Sequence, residues 1–134
     1  MFPALLGEVA EPGTTFLELS GRRVSVRAVT EGENAGAVLH LMRVRYTGSE
    51  EDAAPFVAAH VEYLRHHHGE GTFVVSGQTV PSPEGGAIVA CGVDRATVEA
   101  IAARDPFVAA GVAEYSITSI EVGRVHPALA ALLT

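Results

Sequence analysis

The sequence predicts an α+β fold in which two helices cover one face of a four-stranded antiparallel sheet. From residue 37 the β-prone and helix-like stretches follow the order strand, helix, strand, strand, helix, strand, which is the ferredoxin-like βαββαβ layout. The chain has 134 residues, of which 48% are hydrophobic, enough for one packed core. The other face of the sheet also needs cover, and a second copy of the chain is the simplest cover, so we expect a homodimer.

Outside this core, the N-terminal 36 residues are predicted to form an arm and a β-hairpin extension. Two β-prone segments, residues 14–19 and 22–29, flank a Ser20-Gly21 turn. The predicted organisation is an N-terminal extension at 1–36, a ferredoxin-like domain at 37–125 and an apolar tail at 126–134.

The first half of the core domain is predicted to be a central strand followed by a long helix. Residues 37–46 are mostly apolar and β-prone. Ser49 and Asp52 have the spacing of a capping box, and Pro55 suits a first helical turn. The helix is expected to run to about His68 and to stop at Gly69.

One face of this helix carries a histidine among apolar side chains. Val57, Val61 and Leu64 recur at helical spacing and are expected to pack on the sheet. His60 falls in the same row, so its imidazole should also point toward the sheet.

The second half of the core domain supplies the remaining elements. Its strands are predicted at 72–80, 87–93 and 115–125, with a helix at 95–104 that Asp94 caps. Asp105 comes next and stands directly before Pro106, which should end the helix. A carboxylate at that end is unusual, because the C-terminus of a helix dipole prefers a cation.

His60 and Asp105 are the strongest candidates for chemistry. Both helices of this layout lie on one side of the sheet, so side chains on their inner faces can meet. An imidazole held by a carboxylate is a general acid–base unit. The alternative is a buried ion pair that only ties the two helices together.

Other polar residues lie where a ligand could reach them. Arg43, Arg45 and Tyr46 are on or near the central strand, where an arginine could clamp a carboxylate substrate or form salt bridges on a dimer face. Ser76 and Gly77 follow a strand and could present backbone N–H groups to a ligand, or mark a bulge.

No metal site is predicted. His66, His67 and His68 are consecutive, and successive helical side chains point about 100° apart, so we expect a solvated helix end rather than convergent ligands. The single cysteine, Cys91, cannot form a multi-thiolate zinc site and is expected to be a core residue.

The composition excludes several functions. The chain has nine Arg, no Lys and a net charge of −7, which rules out a Schiff-base lysine and a lysine-containing phosphate loop and argues against nucleic-acid binding. The first residues lack a signal peptide pattern, and no apolar run approaches the ~20 residues of a membrane span. We therefore expect a cytoplasmic protein with no nucleic-acid or membrane partner.

Five segments of the core domain resemble the YCII-related family of dimeric α+β barrel proteins. Asp-Pro-Phe followed by Ala-Gly is the most specific of the matching features. The segments are RVRYT (43–47), AAHVEYLRHHHGEG (58–71), FVVSGQ (73–78), GGAIVACGV (85–93) and DPFVAAGVAEYSI (105–117).

The resemblance implies an active-site pair at His60 and Asp105 and chemistry by proton transfer or elimination, as in a member that removes chloride from a chlorinated hydroxyquinol. The family usually has Ser-Gly-Pro where this chain has Ser76-Gly77-Gln78. Gln78 should therefore make the pocket more polar or change its shape.

These observations predict a cofactor-independent lyase or isomerase acting on a cyclic, oxygenated small molecule. His60 would be the general base and then the acid, and Asp105 would hold its ring. A non-catalytic ligand-binding or accessory dimer and a cofactor-free oxygenase are the alternatives. The substrate-binding residues are predicted to be Tyr46, Ser76, Gly77 and Phe107, with Arg43 or Arg45 attracting an anionic group.

Overall fold

The computed structural model describes residues 14–19, 22–27 and 37–133, which fall into two compact units. One unit comprises residues 1–37 and 121–134, and the other comprises residues 38–120. In the first unit β1 (Thr14–Leu19) and β2 (Arg22–Arg27) pair antiparallel, as the predicted hairpin requires. The predicted arm and the last two residues of the second hairpin strand lie outside the described residues.

The second unit is built on a four-stranded antiparallel sheet. Its strands lie in the order β4, β5, β3, β6, which matches the ferredoxin-like prediction. β5 pairs antiparallel with both β3 and β4, and a bulge interrupts β4 between Phe73 and Val75. The strands are β3 (Val38–Tyr46), β4 (Phe73–Gln78), β5 (Gly86–Cys91) and β6 (Ala113–Glu121).

The helices are more broken than the sequence predicts. Ser49 and Asp52 form the expected capping box, but the helix they start ends at Ala53, and a 3-10 turn separates it from the next. The prediction of one continuous helix is wrong because Pro55 has no N–H for the α-helical hydrogen bond. The helices are α1 (Glu50–Ala53), α2 (Val57–Gly69), α3 (Arg95–Ala103) and α4 (Pro106–Ala109).

The core lies between the sheet and the helices. On β3 the side chains alternate, so that Met42 and Val44 are buried while Arg43 and Arg45 are exposed. Cys91 is buried at 5% exposure, as predicted. The other core side chains include Phe73, Ile88, Ala90, Val98, Ile101, Ala102, Phe107 and Ala113.

The buried face of α2 differs from the predicted one. Tyr63 and His67 are its buried residues, whereas Val57 is 46% exposed. The solvated helix end expected for all three consecutive histidines is therefore wrong for His67, which packs against Phe73 at a ring-centroid distance of 4.9 Å. Burial, together with neighbouring His66, lowers the pKa of His67.

A second buried histidine, His40 on β3, is fully hydrogen-bonded. Its Nδ1 lies 2.8 Å from Ser119 Oγ, and its Nε2 lies 2.8 Å from the carbonyl oxygen of Val93. Because a carbonyl only accepts, Nε2 donates and Nδ1 accepts from the serine hydroxyl. His40 thus ties the central strand to two neighbouring segments.

No helix within the described ranges combines the length and the apolar composition needed to cross a lipid bilayer.

Candidate active site

A histidine and an aspartate from separate helical segments meet on the helix-covered side of the sheet. His60 lies in α2 and Asp105 directly precedes α4, and His60 Nδ1 is 2.9 Å from Asp105 Oδ1. The Asp105 side chain has no exposed surface, whereas 15% of the His60 side chain is exposed. The structure thus brings together the two residues that the sequence pairs, and their catalytic role stays a prediction.

Asp105 is positioned by its place at the start of α4. Its Oδ1 accepts the backbone N–H of Phe107 at 2.9 Å, and Pro106 occupies the first helical position. An aspartate cap followed by proline is a favoured helix start, which explains why a carboxylate follows α3. The carboxylate belongs to the N-terminus of α4 and is not an unfavourable end to α3.

The second carboxylate oxygen is also occupied. Asp105 Oδ2 accepts the hydroxyl hydrogen of Tyr115 on β6 at 2.5 Å. A buried carboxylate requires such donors, and here three converge on it: Tyr115, the Phe107 N–H and His60. Since an ionised carboxylate only accepts, the proton of a neutral His60 belongs on Nδ1, which leaves a lone pair on Nε2.

Aromatic side chains fix the plane of the His60 ring. Phe107 stacks on it at a centroid distance of 4.0 Å and an interplanar angle of 8°. Tyr63 is more distant, at 6.0 Å and 28°. His60 Nε2 has no hydrogen-bond partner among the described residues, and the ring borders an open cavity, so this nitrogen is available to a bound molecule.

The cavity beside His60 has a volume of about 340 Å³, within the range of small-molecule sites. Polar side chains at its wall are few, namely Tyr46, Ser76 and Gln78 besides His60 itself. Glycine backbone forms another part of the wall. The apolar wall consists of Val44, Val57, Val61, Leu64, Ile88 and Phe107, together with Ala87. The wall is therefore mainly apolar and carries a few hydrogen-bonding groups.

A second imidazole contacts the cavity wall through a serine. His68, near the end of α2, has its Nε2 2.8 Å from the Oγ of Ser76 on β4. Ser76 lines the cavity, whereas His68 does not. The hydrogen bond to His68 therefore orients the Ser76 hydroxyl from outside the cavity, and the Ser76 oxygen remains able to hydrogen-bond a ligand.

Two tyrosines, Tyr63 (buried) and Tyr115 (half-buried), lie next to the pair. Burial raises the pKa of Tyr115, and the neighbouring Tyr63 and Asp105 raise it further, so Tyr115 remains a hydrogen donor. Burial likewise raises the pKa of Tyr63, whose hydroxyl donates to the carbonyl of Ile101 at 3.0 Å. The Tyr115 hydroxyl thus holds Asp105, and neither tyrosine lines the cavity.

Four of the predicted substrate-binding residues line the His60 cavity. They are Tyr46, Ser76, Gly77 and Phe107, and Phe107 additionally stacks on His60. Whether any of them binds substrate stays a prediction.

Arg43 and Arg45 are placed elsewhere. They alternate with Val44 along β3 and therefore project from the opposite face of the sheet. There they border a separate depression with Glu84, and Tyr46 borders both this depression and the cavity. Within one chain, neither arginine contributes to the wall around His60.

Sequence reasoning missed two parts of the site. Tyr115 was not recognised as a partner of Asp105, although it lies on the strand that follows Asp-Pro-Phe in the chain. The row of Val57, Val61 and Leu64 is expected to pack on the sheet, but all three line the cavity, and of the three only Leu64 also packs against the core. Helical periodicity identifies an inward face and does not show whether that face meets side chains or open space.

The fold and the site together define the class of protein. It is a small α+β protein in which a buried carboxylate holds an imidazole beside a cavity of small-molecule size. The YCII-related domain matches residues 38–121, well over half of the chain. The chain therefore belongs to the YCII-related family, as the sequence motifs predicted.

A solved structure shares this fold. It is 5-chloro-2-hydroxyhydroquinone dehydrochlorinase from Burkholderia phenoliruptrix AC1100, in complex with 2,5-dihydroxybenzoquinone. The similarity has a TM-score of 0.52 at 19% sequence identity and covers 66% of this chain and 95% of the dehydrochlorinase. No curated protein matches the chain significantly.

Proposed function

We propose that this protein is a small lyase or isomerase that moves a proton on a cyclic, oxygenated substrate. The observation that carries the proposal is the His60 ring, held by buried Asp105 on one side and open to a cavity on the other. A structural ion pair needs no cavity at its free nitrogen, whereas a general base does.

In the proposed reaction His60 Nε2 removes a proton from an activated C–H or O–H group of the substrate. The imidazolium that forms is stabilised by the Asp105 carboxylate, and stacking on Phe107 keeps the ring aimed at the cavity. In an isomerisation, Nε2 returns the proton to another substrate atom. In an elimination, the electrons of the broken bond expel a leaving group and the proton passes to solvent.

The cavity wall favours the proposed substrate class. Its apolar side chains suit the faces of a ring, and the Ser76 hydroxyl and the Gln78 amide can bind ring oxygens. Gln78 stands where the family usually has proline, so it adds a polar contact to this pocket. The proposed chemistry uses these side chains alone and no cofactor.

The similar solved structure supports the proposal of proton-transfer chemistry on an oxygenated ring. Its protein is a dehydrochlorinase with a dihydroxybenzoquinone bound, that is, an enzyme of elimination chemistry on an oxygenated ring. We therefore include chlorinated hydroxyquinols among the candidate substrates of this chain.

We also propose that the protein is a homodimer that uses the sheet face opposite the helices. Leu41 is 39% exposed there, beside the exposed Arg43 and Arg45. Light scattering should give twice the chain mass of 14.0 kDa. A monomeric mass would contradict this part of the proposal.

The function is tested by turnover of a panel of hydroxylated and chlorinated six-membered rings that includes 5-chloro-2-hydroxyhydroquinone. Chloride release and absorbance are followed for the wild type and His60→Ala, with His126→Ala as a matched control outside the cavity. We expect His60→Ala to lose about 100-fold or more in rate, the usual contribution of a general base. Unchanged turnover in folded His60→Ala would refute the mechanism. Binding without turnover by the wild type would identify a ligand-binding protein, and oxygen uptake would identify an oxygenase.

A further inference from the structure

The C-terminal end of α2 brings three potential metal ligands together, away from the His60 cavity. His66, His67 and Glu70 each offer one donor atom, and these three atoms lie within 4.8 Å of one another. We propose that His66, His67 and Glu70 bind a zinc ion or a similar first-row divalent metal.

The spacing of the donor atoms fits a tetrahedral centre. Bonds of about 2.0–2.1 Å at tetrahedral angles place neighbouring donors about 3.4 Å apart. His67 Nδ1 lies 3.4 Å from Glu70 Oε1, and His66 Nε2 lies 3.5 Å from the same oxygen. Only the two imidazoles must approach each other, and the His66 side chain, 65% exposed, is able to rotate.

An unsatisfied buried nitrogen points independently to a ligand. His67 is only 7% exposed, and its Nδ1 is buried without a hydrogen-bond partner in the described part of the chain. The Glu70 oxygen is close to it but poorly placed for a hydrogen bond. Leaving a buried polar atom unpaired costs about 1–3 kcal/mol. A cation between Nδ1 and the carboxylate satisfies both groups.

The site is also pre-organised. The His67 ring is wedged between Tyr63 and Phe73, each at a centroid distance of 4.9 Å, so the buried ligand is held in place before metal arrives. The site lies at the C-terminal end of a helix, where the backbone dipole favours a cation. Two imidazoles and one carboxylate select zinc-like metals over magnesium, which prefers oxygen ligands.

Periodicity alone argues against this site, because consecutive helical side chains diverge. The structure resolves the conflict through Glu70, which stands at the helix C-cap and contacts both histidines. Three protein ligands leave a fourth position for water or another donor.

The test is calorimetric titration of the full chain with zinc chloride, and with magnesium chloride in parallel. We expect one equivalent of zinc to bind with a micromolar or lower Kd, and no heat from magnesium. His66→Ala and Glu70→Gln should each raise the zinc Kd at least about tenfold, since even changes outside the ligand shell typically cost about 10–100-fold. Both side chains are more than half exposed, so neither variant should unfold, which circular dichroism checks.

His68→Ala is the matched control. It removes the third histidine of the same run, whose ring nitrogen contacts Ser76 instead of the cluster. We expect its zinc Kd to equal that of the wild type. The proposal is overturned if the wild type does not bind zinc, or if all three variants weaken binding equally, as adventitious binding to a histidine run would require.

Discussion

Replacing Asp105 with alanine removes the acceptor on which the site depends. In the variant, the backbone N–H of Phe107 and the hydroxyl of Tyr115 lose their shared partner in a region that is largely closed to water. His60 borders the cavity and can exchange its hydrogen bond for one to water, so it adds no unpaired donor. Each buried donor without an acceptor costs roughly 1–3 kcal/mol, which predicts a loss of about 2–6 kcal/mol in the free energy of unfolding.

Asp105→Asn is the companion variant. Asparagine keeps one oxygen acceptor and presents an amide donor, so we expect a smaller loss than with alanine, about 1–2 kcal/mol. The asparagine oxygen should take the Oδ1 position, where it accepts the backbone N–H of Phe107 and the Nδ1–H of His60, so the neutral ring keeps its tautomer. With a turned-over substrate, the rate should fall about tenfold or more, because a neutral amide stabilises the imidazolium less than a carboxylate does.

Urea unfolding followed by circular dichroism, with linear extrapolation to water, measures both stability changes. The reasoning is refuted if Asp105→Ala loses less than about 1 kcal/mol, because the hydrogen bonds from the Phe107 N–H and the Tyr115 hydroxyl would then contribute little. It is also refuted if the asparagine variant is as unstable as the alanine variant.

Three further predictions concern Tyr115 beside Asp105, Gly85 at the cavity wall and the cysteine Cys91. Tyr115→Phe should lose about 1.5–3 kcal/mol of stability. Because the pKa of Tyr115 is raised in the folded state, wild-type stability should fall as the pH rises beyond about 10, and a fall of equal size in the variant would contradict this. Gly85→Ala should lower the free energy of unfolding by at least about 2 kcal/mol, because Gly85 has φ +112° and a Cβ there would lie 1.9 Å from the Val44 carbonyl oxygen. Gly69→Ala is the control, since a Cβ at Gly69 would meet nothing within 4 Å. Equal losses in the two variants would contradict the prediction. Alkylation of Cys91 by iodoacetamide at about pH 8 should be at least about tenfold slower in folded than in unfolded protein, since burial raises the pKa of its thiol, and equal rates would contradict this.

The fold was predictable because its signals are local. Alternation on β3, the capping box at Ser49 and the Asp94 cap of α3 each follow from a few adjacent residues, and all are present. The break after Ala53 was not predicted, although Pro55 is its cause. Proline is equally compatible with a helix start and with an interruption, and only the packed structure shows which applies.

The site was predictable only in part. His60 and Asp105 could be paired because each occupies an inward position in a known layout. The third donor to Asp105 comes from Tyr115 on a strand, and nothing in the local pattern specifies that contact. The open space beside His60 was equally inaccessible, since a cavity is a property of the assembled elements. The position of Arg43 away from this cavity follows from strand alternation, which the sequence did show.

The central claim is that His60 is a base whose lone pair faces the cavity, with Asp105 holding the opposite nitrogen. Nitrogen-15 NMR of the histidine rings reports which nitrogen carries the proton when the imidazole is neutral, and a His60→Gln spectrum assigns the signals. The structure predicts a protonated Nδ1 and an unprotonated Nε2 at His60. A neutral ring protonated on Nε2 would contradict the hydrogen bond to Asp105 and, with it, the proposed mechanism.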